Sequence, residues 1–262
     1  MKRRSALILS AILLHSSWGP ELKWLCNPVL SCHSCALSWF ACPIGVLVHY
    51  SSYGLFPYVA LGTILLVGVA VGRLLCGWVC PFGLVQDLLF KLPTRKFVFP
   101  DWTAHFKYIV LILTVFLFPF FYGEQTWLSF CRICPAAALQ VSVPAMIKEG
   151  TTTVSMATLI RFTMLACVVL LAIFSSRSFC KILCPIGALL APLNLISFWR
   201  VNQSRDVCLN CLKCDKVCTT HVRPSERLPR HIPANRHLDC IVCHDCQVAC
   251  DSTIKPKPAQ PA

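Results

Sequence analysis

A chain of 262 residues with 56% hydrophobic and only 13% charged residues is too apolar for an ordinary soluble domain, where about a quarter of the residues carry charge. Its 19 cysteines and net charge of +13 leave a disulfide scaffold and a nucleic-acid binder to weigh. Long apolar runs argue against the first, and in a membrane protein a positive excess marks cytoplasmic segments, so no nucleic acid is expected as a partner.

Four apolar stretches follow in chain order, each set against the ~20 residues needed to cross the hydrocarbon. The first begins after Lys2, Arg3 and Arg4 and runs over residues 5–19. A basic head before a short apolar run also describes a signal peptide, but no small-x-small cleavage site follows, so an uncleaved anchor is expected. The others cover residues 55–75, 108–122 and 156–175. Lys91, Arg95, Lys96 and Lys107 separate spans two and three, and Arg177, Lys181 and Arg200 follow span four. Segments 20–54 and 123–155 offer only Lys23, Arg132 and Lys148. The positive-inside rule then predicts a multi-pass protein of the cytoplasmic membrane, in contact with lipid, with both termini cytoplasmic.

The cysteines fall into groups along this path. Cys26, Cys32, Cys35, Cys42, Cys131 and Cys134 belong to the expected outer segments. Cys32 with Cys35 and Cys131 with Cys134 form two C-x2-C pairs, enough for an outer four-thiolate metal site; disulfides are the competing reading in an oxidising compartment. Cys42-Pro43 and Cys134-Pro135 look like partners in a half-repeat. Two longer motifs resemble each other: Arg73-Leu-Leu-Cys76-Gly-Trp-Val-Cys80-Pro81-Phe-Gly83 and Arg177-Ser-Phe-Cys180-Lys-Ile-Leu-Cys184-Pro185-Ile-Gly187. Each follows a descending span and precedes an apolar helix expected to be interfacial or re-entrant. Cysteines at i and i+4 share one helix face, so Cys76, Cys80, Cys180 and Cys184 are expected to form a further iron–sulfur or metal site. The plain alternative is that these soft, small side chains only pack. Cys167, alone in span four, reads as a packing residue.

After Trp199 the apolar runs stop. The tail carries Cys208, Cys211, Cys214 and Cys218, then Cys240, Cys243, Cys246 and Cys250, both in the spacing C-x2-C-x2-C-x3-C. Three thiolates from one tight run serve one [4Fe–4S] cluster, and the fourth reaches the other cluster. The expected ligand sets are Cys208, Cys211, Cys214 and Cys250, and Cys240, Cys243, Cys246 and Cys218. Zinc favours two separated ligand pairs per ion, and cytoplasmic thiols stay reduced. Thr219 and Asp251 stand where proline commonly follows the fourth cysteine. His15, His49, Glu124 and Arg161 are candidates for a quinone headgroup, because ionisable groups near spans are costly and often functional. His221, His231, His237 and His244 in the tail read as solvated surface.

Together these features predict a mostly α protein in two domains. Residues 1–200 form a four-span helical membrane domain with half-helices, and residues 201–262 a bacterial two-cluster ferredoxin-like domain. The paired C-x3-C-P motifs with a two-cluster tail resemble the NapH-type membrane ferredoxins and the membrane part of NosR and FixG/CcoG polyferredoxins, over nearly the whole chain. That resemblance implies electron transfer linked to the quinone pool, in a complex with other redox subunits, a second ferredoxin-type subunit among them, serving a periplasmic partner. Cys26, Cys32 and Cys35 are additional to that pattern. No nucleotide-binding glycine loop or nucleophile constellation is visible, so an electron-transfer subunit is expected rather than a stand-alone catalyst. An assembly factor that reduces a metal or thiol, and a redox sensor, are the rival functions.

Overall fold

The computed structural model describes residues 3–15, 22–32, 34, 35, 38–149, 156–201, 208, 211–227 and 232–254. The protein is mostly helical, and two helices are long and apolar enough to cross a membrane: Asp101–Tyr122 and Met156–Phe174. At 1.5 Å per residue the second is ~28 Å long, close to a hydrocarbon core of ~30 Å. Only Val168 and Ala172 of its side chains are buried, while Leu159 and Leu170 face outward. An apolar exterior of this extent needs a cover, and lipid is the cover that matches it.

The expected first and second spans are realised as shorter helices, Arg3–Leu14 and Tyr58–Val71; residues 16–19 lie outside the described set. The second ends at Gly72, whose φ of +63° is a conformation that suits glycine. A side chain there would also strike Asn194 Oδ1, 2.3 Å from an ideal Cβ. The chain turns because Asn194 occupies the space ahead of it.

Four apolar helices start at a Cys-Pro step: Pro43–Ser52, Pro81–Leu89, Pro135–Ile147 and Pro185–Ile196. Proline suits the first helical position, where its missing N–H leaves no hydrogen bond unmade, and it pushes the residue before it into extended backbone. At 9 to 13 residues all four are shorter than the ~20 residues a straight crossing needs, and two of them follow the C-x3-C-P motifs. The helix Pro185–Ile196 packs on Tyr58–Val71, and Gly68 makes the approach possible: an ideal Cβ there would lie 2.3 Å from Leu193 Cδ1. Strands Leu22–Cys26 and Phe40–Ala41 pair in parallel. Between them runs a loop whose Val29, Leu30 and Cys35 are buried.

The tail does not stand apart from the helices. Asn194, fully buried, turns its amide nitrogen to the carbonyls of Asn235, His237 and Cys240, at 2.8, 2.9 and 3.1 Å. Trp78 Nε1 donates to Val242 O at 3.2 Å. Gly77 fits so closely that an ideal Cβ would be 2.5 Å from Ile241 O. Arg3 pairs with Asp87 at 3.1 Å and with Asp245 of the tail at 3.3 Å, so the N-terminal helix begins beside the tail. Ser176, just past the helix Met156–Phe174, donates to Thr219 O of the tail. Arg161 lies near the other end of that helix, about 20 Å away along its axis. The molecule therefore has a tail end and an opposite end.

Candidate metal centres

Three groups of four cysteines converge. In the first, Cys76, Cys80, Cys180 and Cys184 are all buried, and every one of their six pairs lies within electrostatic reach. Cys80 and Cys184 are helix N-caps in nearly the same conformation, φ/ψ of −65°/116° and −73°/114°. The N–H of Gly187 faces Cys184 Sγ at 3.4 Å, and that of Gly83 faces Cys80 in the same way. Free N–H groups and the positive end of a helix favour a thiolate there. Gln86 Nε2 donates to Cys180 Sγ at 3.1 Å while its Oε1 accepts from Phe179 N at 3.2 Å.

Around this group the two halves exchange arms. Arg73, from the first motif, donates to Cys180 O at 3.3 Å. Arg177, from the second, donates to Cys76 O at 2.8 Å. Each guanidinium lies over the other half's glycine: ideal Cβ atoms at Gly83 and Gly187 would be 2.1 Å from Arg177 Nη1 and 2.8 Å from Arg73 Nη2. Arg177 forks onto Asp87 at 2.7 and 2.6 Å, and Arg3 shares that carboxylate. Arg73 lies 4.0 Å from Asp239, which also holds buried Lys107. Two cations share each carboxylate, leaving positive charge beside four thiols. The Arg73 side chain also hydrogen bonds with the Cys76 thiol, while its buried Nε finds no oxygen or nitrogen acceptor. A buried cation excess with an unpaired donor fits a thiolate-ligated cluster, whose four cysteinates make it anionic.

The second group is in the tail. Cys218, Cys240, Cys243 and Cys246 lie within electrostatic reach in all six pairs and line a small cavity with Val201, Val222 and Ala234. Backbone N–H groups of Val222 and Val242 face the sulfurs of Cys218 and Cys240 at 3.4 and 3.5 Å. Val242 and His244, between these cysteines, have φ of +52° and +62°. A left-handed β-branched residue is a true outlier, and such strain gathers at functional sites; here it curls the loop so that amides and thiols face inward. Burial pushes the Cys246 thiol up to about 12, with Cys243 and Cys218 adding to the rise. Burial and then Asp245 raise Cys243 to about 11. Four thiols within reach of one another, with backbone N–H groups facing two of them, form a set that a thiolate-ligated cluster would fit.

For the other expected tail set, Cys208 and Cys211 are exposed, Cys214 is buried and Cys250 half-buried. The short helix Lys213–Lys216 packs on Asp245–Ile254, which carries Cys246 and Cys250, and Leu212 repeats the left-handed turn at φ +55°. His244 Nε2 accepts from Trp199 Nε1 at 3.0 Å; His231 lies outside the described residues.

The third group is at the opposite end. Cys32, Cys131 and Cys134 come together as expected, with Cys42 in the place the sequence reading gave to Cys35. Cys35 is buried behind the loop, within reach of Cys32. Cys167 is exposed on its helix. Of the quinone candidates, His49 and Glu124 are hydrogen bonded at 2.7 Å and share a cavity with Arg161. His15 instead joins Ser31 Oγ at 3.2 Å and Gln140 Nε2 at 3.1 Å as a structural strut.

Among the described residues, no three or more His, Cys, Asp or Glu side chains close to single-ion distance. Arg73, Arg177, Gln86, Asp87, Lys107 and Asp239 were not singled out as site residues from the sequence. The repeated Arg-x2-Cys at the head of both motifs was the available signal for the two arginines; the others are brought in by the fold.

Cysteines grouped in this way beside apolar helices are the features expected of an iron–sulfur protein of the membrane, and the comparisons with known proteins support that class. The family model described as a 4Fe-4S binding domain matches twice, over residues 53–100 and 157–202, so each match holds one C-x3-C-P motif. An uncharacterized protein of Methanocaldococcus jannaschii is 25% identical over 200 residues, 72% of this chain and 74% of its own. The putative electron transport protein YccM of Escherichia coli is 26% identical over 71% of this chain and 51% of its own. The regulatory protein NosR of Pseudomonas aeruginosa is 27% identical over 66% of this chain and 23% of its own. This chain thus spans about half of YccM and less than a quarter of NosR. No solved structure matches. These matches support a place for the chain among the NapH- and NosR-like 4Fe–4S membrane ferredoxins.

Proposed function

We propose that this chain is the membrane subunit that passes electrons between a quinone or cytoplasmic donor and a redox partner across the bilayer. Residues 201–262 would hold two [4Fe–4S] clusters, on Cys208, Cys211, Cys214 and Cys250 and on Cys240, Cys243, Cys246 and Cys218. Residues 1–200 would hold a third on Cys76, Cys80, Cys180 and Cys184. When bound, such clusters supply one-electron redox couples whose potentials follow hydrogen bonding and burial. The chain's own residues set those conditions. Val222, Val242, Gln86 and Gly187 direct N–H groups at the sulfurs, and Arg73 and Arg177 counter the charge.

The observation that carries the reading is the contact between the first two groups. Gly77, one residue after Cys76, lies against Ile241 and Cys243, with an ideal Cβ 3.4 Å from Cys243 Cα. At Gly77 the backbone of the buried motif meets the backbone of the tail loop directly. At the far end, the His49–Glu124 pair is the candidate to exchange protons with a quinone headgroup. In this reading the basic loops lie on the cytoplasmic side, and both termini with them.

Cys211→Ser tests the tail and Cys184→Ser the buried group, each by iron content and the EPR spectrum of reduced protein. Each variant is expected to lose one cluster's signal while membrane insertion persists. Unchanged iron in both would remove the basis of the reading.

A further inference from the structure

At the end of the fold opposite the tail, a cavity of about 520 Å³ opens beside the helices Pro43–Ser52 and Phe130–Ile133 and the start of Met156–Phe174. Cys32, Cys42, Cys131 and Cys134 all line it, and all six of their pairs are within electrostatic reach. This is the same complete grouping found in the buried C-x3-C-P motifs.

The likeness extends to the backbone. Cys42 and Cys134 each cap a proline-led helix, with φ/ψ of −72°/123° and −64°/121°, matching Cys80 and Cys184 within about 10°. Amides of Ile44 and Gly45 face Cys42, and those of Ala136 and Ala137 face Cys134. Cys32 is fixed by its own N–H, which donates to Gln140 Oε1 at 2.6 Å. Gln140 is carried on a π-helical turn, Ala138–Ser142, of a kind that recurs at functional sites.

A cation completes the set. Arg161, half-buried on a membrane helix, donates to Arg132 O at 3.3 Å and Ser142 Oγ at 3.4 Å. Among the described residues it has no carboxylate partner. It faces Cys32 and Cys131. Charged groups within membrane helices are met by opposite charges or by backbone carbonyls; Arg161 has a carbonyl and a hydroxyl, and four cysteinates around a cluster would supply the anion. The cavity also adjoins the buried group: Leu30 lines it, and the Leu30 N–H faces Cys80 Sγ.

We propose that Cys32, Cys42, Cys131 and Cys134 bind an iron–sulfur cluster, with Arg161 as its counter-charge, and that this cluster continues the electron path to the face opposite the tail. The proposal extends the electron-transfer reading but names its own ligands. Its distinguishing feature is that Cys42 is a ligand and Cys35 is not.

The test is iron and acid-labile sulfide per chain in full-length protein, purified anaerobically and reconstituted with ferrous iron and sulfide. Cys42→Ser is expected to lose one cluster's worth, about two irons for a [2Fe–2S] or about four for a [4Fe–4S]. Cys35→Ser is expected to keep the full content. Equal content in Cys42→Ser, or equal losses in both variants, would overturn the ligand set. Should Cys42→Ser fail to accumulate, thiol alkylation of the unsubstituted protein decides. Protection of the four thiols released by an iron chelator supports the cluster, and protection released only by a disulfide reductant defeats it. Cys211→Ser run in parallel keeps the two questions apart, because its loss of iron stands whatever the outer cysteines do.

Discussion

Asp87 and Asp239 hold the buried cations in place. Asp87 answers both Arg177 and Arg3, at 2.6 and 3.1 Å, and Arg177 is fully buried. Removing the carboxylate leaves a guanidinium without its counter-ion in a dry setting, which costs about 3–5 kcal/mol. Asp87→Asn is therefore expected to lower the unfolding midpoint in detergent by an amount a thermal scan resolves. An unchanged midpoint would mean that Arg177 is neutralised elsewhere. Gly83→Ala attacks the same arrangement from the other side, since its Cβ would overlap Arg177 Nη1. It is expected to destabilise the fold and reduce iron content together, and a variant with normal iron and stability would contradict the crossed-arm geometry.

At the scale of elements, the Cys-Pro step is the repeated device. It makes the cysteine extended, starts a helix at the next residue, and points that helix's free amides at the sulfur. Those steps were legible in the sequence, as were the tail quartets and the two related motifs, because proline and cysteine act locally. The fourth cysteine proposed for the outer group was not. Cys35 was the nearest C-x2-C candidate by spacing, whereas Cys42 reaches the cavity because the strands Leu22–Cys26 and Phe40–Ala41 pair and bring the ends of the loop together. The spans were only partly legible for a related reason. Hydropathy marked residues 5–19 and 55–75 as apolar, but Gly72 and the packing against Asn194 end the second helix at 14 residues. Docking of the tail makes a prediction of its own. Gly77→Val should push Ile241 and Cys243 away, so that limited proteolysis releases the tail sooner while its clusters remain. A tail as resistant as before would show that the Gly77 contact does not hold it.

Over the whole molecule, the groups of cysteines form a sequence from the tail loop, past Gly77, to the buried motifs, then past Leu30 to the outer cavity. The end-to-end path uses one long helix as its frame, with Ser176 at the tail end and Arg161 at the other. Reporter fusions truncated after Lys96 and after Tyr122 should give opposite sidedness, because the helix Asp101–Tyr122 lies between them, and a full-length fusion at Ala262 should match the first. Matching reports from the Lys96 and Tyr122 fusions would mean that this helix does not cross. The central claim, that the membrane half holds iron–sulfur centres as the tail does, is tested most directly by iron and acid-labile sulfide per chain, with EPR of the reduced, anaerobically purified protein. The account predicts clearly more than the about eight irons of two cubanes, with signals beyond those removed by tail substitutions. A content of about eight, all of it lost with the tail cysteines, would contradict it and leave the buried motifs as packing or thiol chemistry.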